Sequence, residues 1–263
     1  MERMPCRRID KFSVFFAIFE ANQSSQEMAS KNAEIAKKYC ERGFRKNGKI
    51  LKGVSMERIL AARILPAVVI ERAEDGPPIA RALLASGLPV MEVPLRTPVA
   101  LDAIRRIRDE VPEMFVGAAT IVRPDQVDQA IGAGAEFGVA AGLNEAVVHR
   151  AQALGLPFIP GVMTPSEVER AYGLGCTLLK LFPASIGGID MIKALAGPYA
   201  QLDIRLIPMG GVTAANAATF LAHPMVGALG GTWLTPHAIV EAKDWAGITA
   251  LAREAVGLAA NID

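Results

Sequence analysis

Short aliphatic runs alternate with amphipathic stretches along the chain from Met56 onward. A short run of Val, Ile and Leu between turn residues is typical of a buried strand, and apolar positions three or four residues apart are typical of a helix with one buried face. The pattern predicts eight strands, at residues 65–70, 89–95, 115–120, 137–140, 157–160, 177–182, 204–209 and 226–230. It predicts helices between them, including 76–86, 98–109, 124–132, 144–154, 165–173 and 214–221.

A regular succession of strands and helices is compatible with two folds. Eight strand–helix units close most naturally into a (β/α)8 barrel, which takes about 250 residues, and this chain has 263. An open doubly wound sheet alternates in the same way, but its usual G-x-G-x-x-G is missing, because E-R-A-E-D-G-P-P follows the first predicted strand. We therefore expect a single-domain (β/α)8 barrel over residues 56–263.

Residues 1–55 do not show this alternation of strand and helix patterns and are expected to form an N-terminal extension. One hypothesis is a start codon assigned too early, with Met56 opening a helix that leads into the first strand. The alternative is a flexible tail or an added helix, since chain termini often lack order. Abundant peptides from residues 1–50 in native protein would contradict the first hypothesis.

Composition narrows the possible partners and compartment. The 28 Lys and Arg nearly balance the 27 Asp and Glu. The chain therefore has no large net charge that would attract nucleic acid or an anionic membrane surface. The three cysteines have no C-x-x-C spacing, which argues against disulfides and zinc and favours the cytoplasm. No apolar run reaches the roughly 18 residues that span a bilayer. The histidines, His149, His223 and His237, show no spacing typical of metal ligands, so no metal is expected.

Lys180 is the most unusual residue at a predicted strand end. In a barrel, the carboxyl ends of the strands face a common mouth, where active sites form. Lys180 lies between Leu179 and Leu181, and burial there would favour the neutral amine, which is the nucleophile that forms an imine with a ketone. The alternative is a lysine that reaches solvent from the strand edge, or that pairs with Glu92 for stability alone.

Glu92 lies among apolar residues in the second predicted strand and shares one face of it with Val90 and Pro94. A carboxyl group inside an apolar barrel would have a raised pKa and could move protons during imine chemistry. A pair with Arg96 is the alternative role for Glu92. That pairing is disfavoured, because four residues along a strand separate the two by about 13 Å.

Other strand ends offer groups that suit an anionic substrate. Arg96 has a guanidinium that matches a carboxylate, and the Thr120 hydroxyl could complete its recognition. The pairs Gly210–Gly211 and Gly230–Gly231, the second followed by Thr232, could present backbone N–H groups to a phosphate. A surface arginine or a lone glycine pair is weak evidence by itself.

Taken together, these motifs resemble those of the 2-keto-3-deoxy-6-phosphogluconate (KDPG) aldolase family, which includes 4-hydroxy-2-oxoglutarate (KHG) aldolases. The similarity runs from about Arg63 to Leu258. The matching stretches are E-V-P-L-R-T, G-A-A-T-I-V-R-P, P-G-V-M-T-P-S-E, L-L-K-L-F-P-A, K-A-L-A-G-P, P-M-G-G-V and G-G-T-W-L.

The resemblance implies a class I, Schiff-base aldolase on a TIM barrel that acts without a cofactor, in the Entner–Doudoroff pathway. It implies that Lys180 forms the imine, that Glu92 moves protons, and that Arg96 and Thr120 hold the carboxylate. It implies that two residues border the pocket, Phe182 and Pro183. It implies that four others contact the phosphate end of the substrate: Gly210, Gly211, Gly231 and Thr232. It also implies a homotrimer and a small 2-oxo acid as the partner molecule.

Three departures from the family pattern concern the substrate. Ala119 stands where the third-strand motif usually has Gly, Ala140–Ala141 stand where the fourth has Ser-Pro, and Met209 replaces a Thr. We expect cleavage of KDPG to pyruvate and glyceraldehyde 3-phosphate. The alternatives are the same chemistry on 4-hydroxy-2-oxoglutarate or 2-keto-3-deoxy-6-phosphogalactonate, or a phosphosugar-binding barrel without catalysis.

Overall fold

The computed structural model describes residues 45–46, 49–50 and 52–262. The expected extension, residues 1–55, lies almost wholly outside them, and its nature stays a prediction. Two short strands, β1 (Arg45–Lys46) and β2 (Lys49–Ile50), pair antiparallel ahead of helix α1 (Lys52–Ala62). Helix α1 confirms the helix expected to lead into the first barrel strand, and it begins four residues before Met56.

Eight strand positions follow α1 and pair in parallel. The strands are β3 (Ile64–Pro66), β4 (Val90–Pro94), β5 (Phe115–Ala119), β6 (Gly138–Val139), β7 (Phe158–Ile159), β8 (Gly161–Val162), β9 (Leu178–Leu181), β10 (Arg205–Pro208) and β11 (Leu229–Gly231). Strands β7 and β8 occupy one position. They are separated by Pro160, which has no N–H to donate to a neighbouring strand. The fifth predicted strand therefore continues past residue 160 after an interruption.

Backbone pairing continues around the whole ring. Strands β4 to β7 are joined in order, β8, β9 and β10 are joined in order, and β11 pairs with β3. The bridge between Ala67 and Glu92 connects β3 to β4. A second bridge, Leu206 to Val226, joins β10 to the segment that enters β11, and the Gly227 N–H donates to the Leu206 carbonyl at 3.0 Å. The strands thus form the expected closed parallel barrel.

Helices cover the outside of this ring. They are α2 (Gly76–Ala85), α3 (Ala100–Glu110), α4 (Pro124–Gly132), α5 (Glu145–Leu154), α6 (Pro165–Gly173), α7 (Gly188–Tyr199), α8 (Ala214–Leu221), α9 (His237–Glu241) and α10 (Trp245–Ala260), with a 3-10 turn at Ala73–Asp75. The six predicted helices are confirmed to within two residues at each end. Among the helices that the structure describes, none is long and apolar enough to cross a bilayer.

Alternate residues of each strand face opposite sides, and the packing shows which side is inside. Val90 packs in a cluster within the barrel, whereas Met91 and Val93 pack against the helices. Glu92 shares the face of Val90 and therefore points inward. The inner cluster consists of Ile59, Leu65, Val90, Phe115, Ala119, Phe137, Val139, Ile159, Leu178, Ile207, Met209 and Ala228. Ile59 belongs to α1, so this helix contributes to the closure of the amino end of the barrel.

Candidate active site

Lys180 and Glu92 meet inside the barrel at the same level. Lys180 lies in β9, opposite Gly161 on one side and Ile207 on the other, and Glu92 lies in β4 opposite Gly117. The Lys180 Nζ is 3.6 Å from the Glu92 Oε1, slightly beyond a direct hydrogen bond. Lys180 is 7% exposed and Glu92 only 1%. The two groups chosen from the sequence are therefore adjacent and almost fully buried.

The Glu92 carboxyl is held in an environment that favours its protonated form. Burial raises the pKa of Glu92, and the nearby Lys180 partly offsets that shift. The direction agrees with the raised pKa expected from the sequence. Its Oε2 has no hydrogen-bond partner among the described residues, and the ion pair that it makes there is with Lys180, not Arg96. One oxygen of this carboxyl group is thus buried without a hydrogen-bond partner in the described part of the chain.

Two glycines opposite these residues let neighbouring groups approach closely. A Cβ on Gly117 would lie 2.4 Å from the Phe137 ring, and one on Gly161 would lie 2.1 Å from the Ala141 carbonyl oxygen. The Phe137 ring occupies the space at Gly117 and stacks on Phe115 with a centroid separation of 4.9 Å. These aromatic rings form part of the apolar barrel interior that Glu92 enters, which is the physical cause of its desolvation.

Phe182 forms one wall beside the amine. Its ring centroid is 5.3 Å from the Lys180 Nζ, and the residue remains 37% exposed at the mouth of the barrel. The next residues, Pro183 to Ser185, turn over β10: the Ser185 N–H donates to the Gly210 carbonyl at 2.8 Å. Phe182 therefore lies beside the Lys180 amine, and Pro183 follows it in the turn that packs on Gly210.

Gly210 and Gly211 are required by the backbone. Their φ angles are 80° and 89°, and an added Cβ would lie 2.8 Å from the Phe182 ring at Gly210 and 2.6 Å from the Ser185 Cβ at Gly211. No described residue accepts a hydrogen bond from either N–H group. The pair is thus fixed under the loop that follows β9, with two backbone donors available.

Arg96 and Thr120 follow neighbouring paired strands. The Leu95 N–H donates to the Ala119 carbonyl at 2.8 Å, so the next residue of each chain segment emerges at the same rim. Thr120 has a φ of 58°, which is rare for a β-branched residue and costs roughly 1–3 kcal/mol of backbone strain. The exposed Arg96 guanidinium has no hydrogen-bond or ion-pair partner within the described part of the chain. Both residues therefore lie at the same rim of the barrel.

A cavity of about 350 Å³ opens at the mouth where β3, β4 and β11 end. It is bordered by Arg96 and Thr232 but by neither Lys180 nor Glu92. Sequence reasoning singled out both of these lining residues but missed Arg72 and Thr235, which border the same cavity. Within residues 52–262 no group of three or more His, Cys, Asp or Glu side chains is placed to hold a metal ion.

Met209 lies inside the barrel at the end of β10 and is only 3% exposed. A Cβ added to Gly230 would lie 2.0 Å from the Met209 Cε. The Met209 side chain therefore reaches across to β11 and packs on Gly230. A threonine here would leave that space open and supply a hydroxyl. Met209 instead makes this part of the wall apolar.

A sequence profile described as KDPG and KHG aldolase matches residues 56–251, about three quarters of the chain. The chain belongs to this aldolase family. The KHG/KDPG aldolase of Escherichia coli K12 is 43% identical over 204 residues, covering 77% of this chain and 95% of that protein. Family membership makes the protein a carbon–carbon lyase, and the fold, the family and the enzyme class expected from the sequence are confirmed.

Solved structures agree with this assignment. The KDPG aldolase of Zymomonas mobilis ZM4, determined with 3-phosphoglycerate, superposes with a TM-score of 0.74 at 39% identity and covers 79% of this chain and 97% of that one. The KDPG aldolase of Legionella pneumophila, with pyruvate captured as a covalent carbinolamine, gives a TM-score of 0.73 at 35% identity, over 76% and 96% of the two chains. Aldolase barrels of known chemistry thus share this architecture.

Proposed function

We propose that the protein cleaves KDPG to pyruvate and glyceraldehyde 3-phosphate through an imine on Lys180. The observation that carries the proposal is the buried pair of Lys180 Nζ and Glu92 carboxyl, 3.6 Å apart inside an otherwise apolar barrel. A barrel that only bound phosphosugars would have no use for a buried amine beside a carboxyl group, because burying both is costly.

In the first half of the reaction, the neutral Nζ attacks C2 of the substrate and forms a carbinolamine. Protonated Glu92 gives its proton to the C2 hydroxyl, which leaves as water, and the iminium remains. The raised pKa of Glu92 suits this step, because a protonated carboxyl is the donor that it requires. The carbinolamine trapped in the Legionella enzyme supports this step for the present chain.

In the second half, the Glu92 carboxylate takes the proton of the C4 hydroxyl. The C3–C4 bond breaks, its electron pair moves into the iminium, and glyceraldehyde 3-phosphate leaves an enamine on Lys180. Glu92 returns the proton to C3, and water then releases pyruvate and restores the amine. The iminium supplies the electron sink, so the proposed mechanism uses no metal or organic cofactor.

The ends of the substrate are assigned to separate groups. Arg96 and Thr120 hold the carboxylate, and the free N–H groups of Gly210 and Gly211 receive the phosphate. Gly231 and Thr232, at the end of β11, complete that phosphate contact. Phe182 and Pro183 exclude water from the imine by covering Lys180.

The proposed setting is the Entner–Doudoroff pathway of the cytoplasm. A homotrimer is proposed on the family resemblance, and a sedimentation mass of three chains would support it.

Substrate choice is tested by comparing kcat/KM for KDPG and for 4-hydroxy-2-oxoglutarate. Hydrogen bonds to a charged phosphate contribute about 1.5–3 kcal/mol, so KDPG should be favoured by roughly tenfold to a hundredfold. An equal or higher kcat/KM for the unphosphorylated acid would overturn the assignment of KDPG while leaving the imine chemistry intact.

A further inference from the structure

Thr97 directly follows Arg96 after the end of β4, and its hydroxyl joins two segments of the barrel mouth. The Thr97 Oγ1 donates to the Ile70 carbonyl oxygen at 2.6 Å. Ile70 lies in the connection that follows β3, 27 residues earlier in the chain. The proposed cleavage gives this hydroxyl no part, so its position needs another explanation.

A threonine followed by proline ahead of a helix would ordinarily cap that helix. Thr164 does so in this chain: its Oγ1 accepts from the Glu167 N–H at 3.4 Å at the start of α6. The N-cap of α3 is instead Val99, and no side chain caps this helix. The Thr97 hydroxyl therefore makes its hydrogen bond with the neighbouring strand connection and not with its own helix.

Pro94 explains why a side chain makes this link. The Val68 N–H donates to the Glu92 carbonyl at 2.8 Å, and in a parallel ladder the next donor on this side of β4 would be residue 94. Proline has no N–H to donate. Within the described part of the barrel, no backbone hydrogen bond joins the two segments beyond Glu92. The bond from Thr97 to Ile70 thus extends the β3–β4 contact to the mouth.

Arg96 lies in a turn that is anchored on both sides. On the β5 side, the Leu95 N–H donates to the Ala119 carbonyl at 2.8 Å. The Arg96 N–H donates to the Pro94 carbonyl at 2.7 Å, which makes the turn tight. Thr97 supplies the anchor on the β3 side. Because the Arg96 guanidinium has no partner of its own among the described residues, these backbone anchors set where its side chain starts.

We propose that Thr97 is a positioning residue for Arg96. Its hydroxyl holds the turn from which the arginine reaches the substrate carboxylate. The inference rests on the proposed function, in which Arg96 binds that carboxylate. Loss of the hydroxyl should weaken carboxylate binding and leave the proton transfers of Glu92 unchanged, because Glu92 lies within β4 and is paired there on both sides.

The test begins with borohydride trapping over a range of pyruvate concentrations. Thr97→Val keeps the shape of the side chain but loses the hydrogen bond, so the half-maximal pyruvate concentration should rise about threefold to tenfold. Thr97→Ser keeps the hydroxyl and should stay close to the wild-type value. With KDPG, Thr97→Val should raise KM by a similar factor and leave kcat within about twofold.

Thr249→Val is the matched control for a loss of stability alone. The Thr249 Oγ1 lies 3.0 Å from the Ala82 carbonyl oxygen, joining α10 to α2, and 3.1 Å from the Trp245 carbonyl oxygen of its own helix. Both valine variants should lower Tm, but only Thr97→Val should raise the half-maximal pyruvate concentration. Equal rises in the two variants would overturn the inference.

A double-mutant cycle tests whether Thr97 acts through Arg96. Arg96→Gln removes the charged contact with the carboxylate and should itself raise the half-maximal pyruvate concentration. In that background, Thr97→Val should add little, because the group that it positions is gone. The same fold increase in both backgrounds would show that Thr97 acts independently of Arg96.

Hydrogen–deuterium exchange of the ligand-free protein separates this inference from the proposed cleavage. The Leu95 and Arg96 amides should exchange at least about threefold faster in Thr97→Val, but not in Thr97→Ser or Thr249→Val. Normal pyruvate trapping with unchanged exchange in Thr97→Val would refute the role of Thr97 alone. Absence of trapping in the wild-type chain would refute the imine chemistry, and exchange would still decide whether Thr97 holds the turn.

Discussion

Burial changes the acid–base properties of single residues at this site. Glu92 is 1% exposed, and its pKa is raised because the apolar barrel disfavours the carboxylate. The sequence sufficed to select Lys180 and Glu92. Burying a charged side chain in an aliphatic strand lowers the stability of the fold, so such residues often mark a functional site. The sequence could not supply their 3.6 Å contact, since that depends on how strands from distant parts of the chain lie around the ring.

Glu92→Gln should leave the imine and remove the proton transfers. The amide has the shape of the carboxyl group but can neither give up nor accept the required proton, so kcat should fall by about 10²–10⁴-fold. Borohydride trapping of pyruvate on Lys180 should persist, although more slowly. Steady-state kinetics and trapping on the same preparations measure the two effects. Unchanged kcat would show that another group moves the protons.

The pH profile of the wild-type enzyme provides a second readout of Glu92. Dehydration of the carbinolamine uses the proton that Glu92 carries in the free enzyme, so kcat/KM should fall with rising pH as Glu92 ionises. Because its pKa is raised, this limb should lie above the ordinary value of 4.5 for a glutamate. The limb should be absent in Glu92→Gln. A limb at the ordinary value would contradict the desolvated position of this carboxyl.

Individual elements were well predicted where their periodicity was regular. The predicted helices 124–132, 165–173 and 214–221 coincide with α4, α6 and α8. Strand ends were less accurate, because backbone pairing depends on neighbours. The run at 157–160 appeared to end at Pro160, yet the Lys180 N–H donates to the Pro160 carbonyl at 2.9 Å and the strand resumes as β8. Thr235 was overlooked because a threonine in a turn looks ordinary until its burial is known.

The Gly210–Gly211 turn between β10 and α8 should tolerate no side chain. In Gly211→Ala, the positive φ and the close Ser185 Cβ should together cost about 1–3 kcal/mol of unfolding free energy. The turn would also shift its N–H groups, so KM for KDPG should rise. Denaturant unfolding and steady-state kinetics measure both effects.

Gly132→Ala is the matched control for this substitution. Gly132 ends α4, and a Cβ there would meet nothing within 4 Å. The same replacement should therefore be neutral or stabilise by up to about 1 kcal/mol. Similar losses of stability in both variants would show that the turn is not specially constrained.

At the scale of the whole molecule, the count of strand and helix units was sufficient to predict a closed barrel. What the sequence left open was which face of each strand points inward, because strands covered on both sides are apolar on both faces. The structure resolves this by packing: Val90 and Ile207 lie inside, whereas Met91 and Leu206 lie against the helices. The inward face is the one that carries both Glu92 and Lys180.

The barrel should not need residues 1–55. Among the residues of α1 whose side chains are described, from Met56 onward, Ile59 is buried in the inner cluster and Met56 and Leu60 are partly buried against it. A chain that begins at Met56 keeps all three. It should therefore unfold within a few degrees of the full chain and keep its kcat/KM, as measured by thermal denaturation and kinetics. A large drop in Tm would assign the preceding residues a part in the fold.

The central claim is an imine on Lys180, and reductive trapping tests it most directly. The protein is incubated with pyruvate and borohydride, digested, and the adduct is located by mass spectrometry. The adduct should be found on Lys180, should disappear in Lys180→Arg, and should persist in Lys193→Arg, which alters an exposed lysine on α7. An unmodified Lys180, under conditions in which a competent class I aldolase is labelled, would contradict the account.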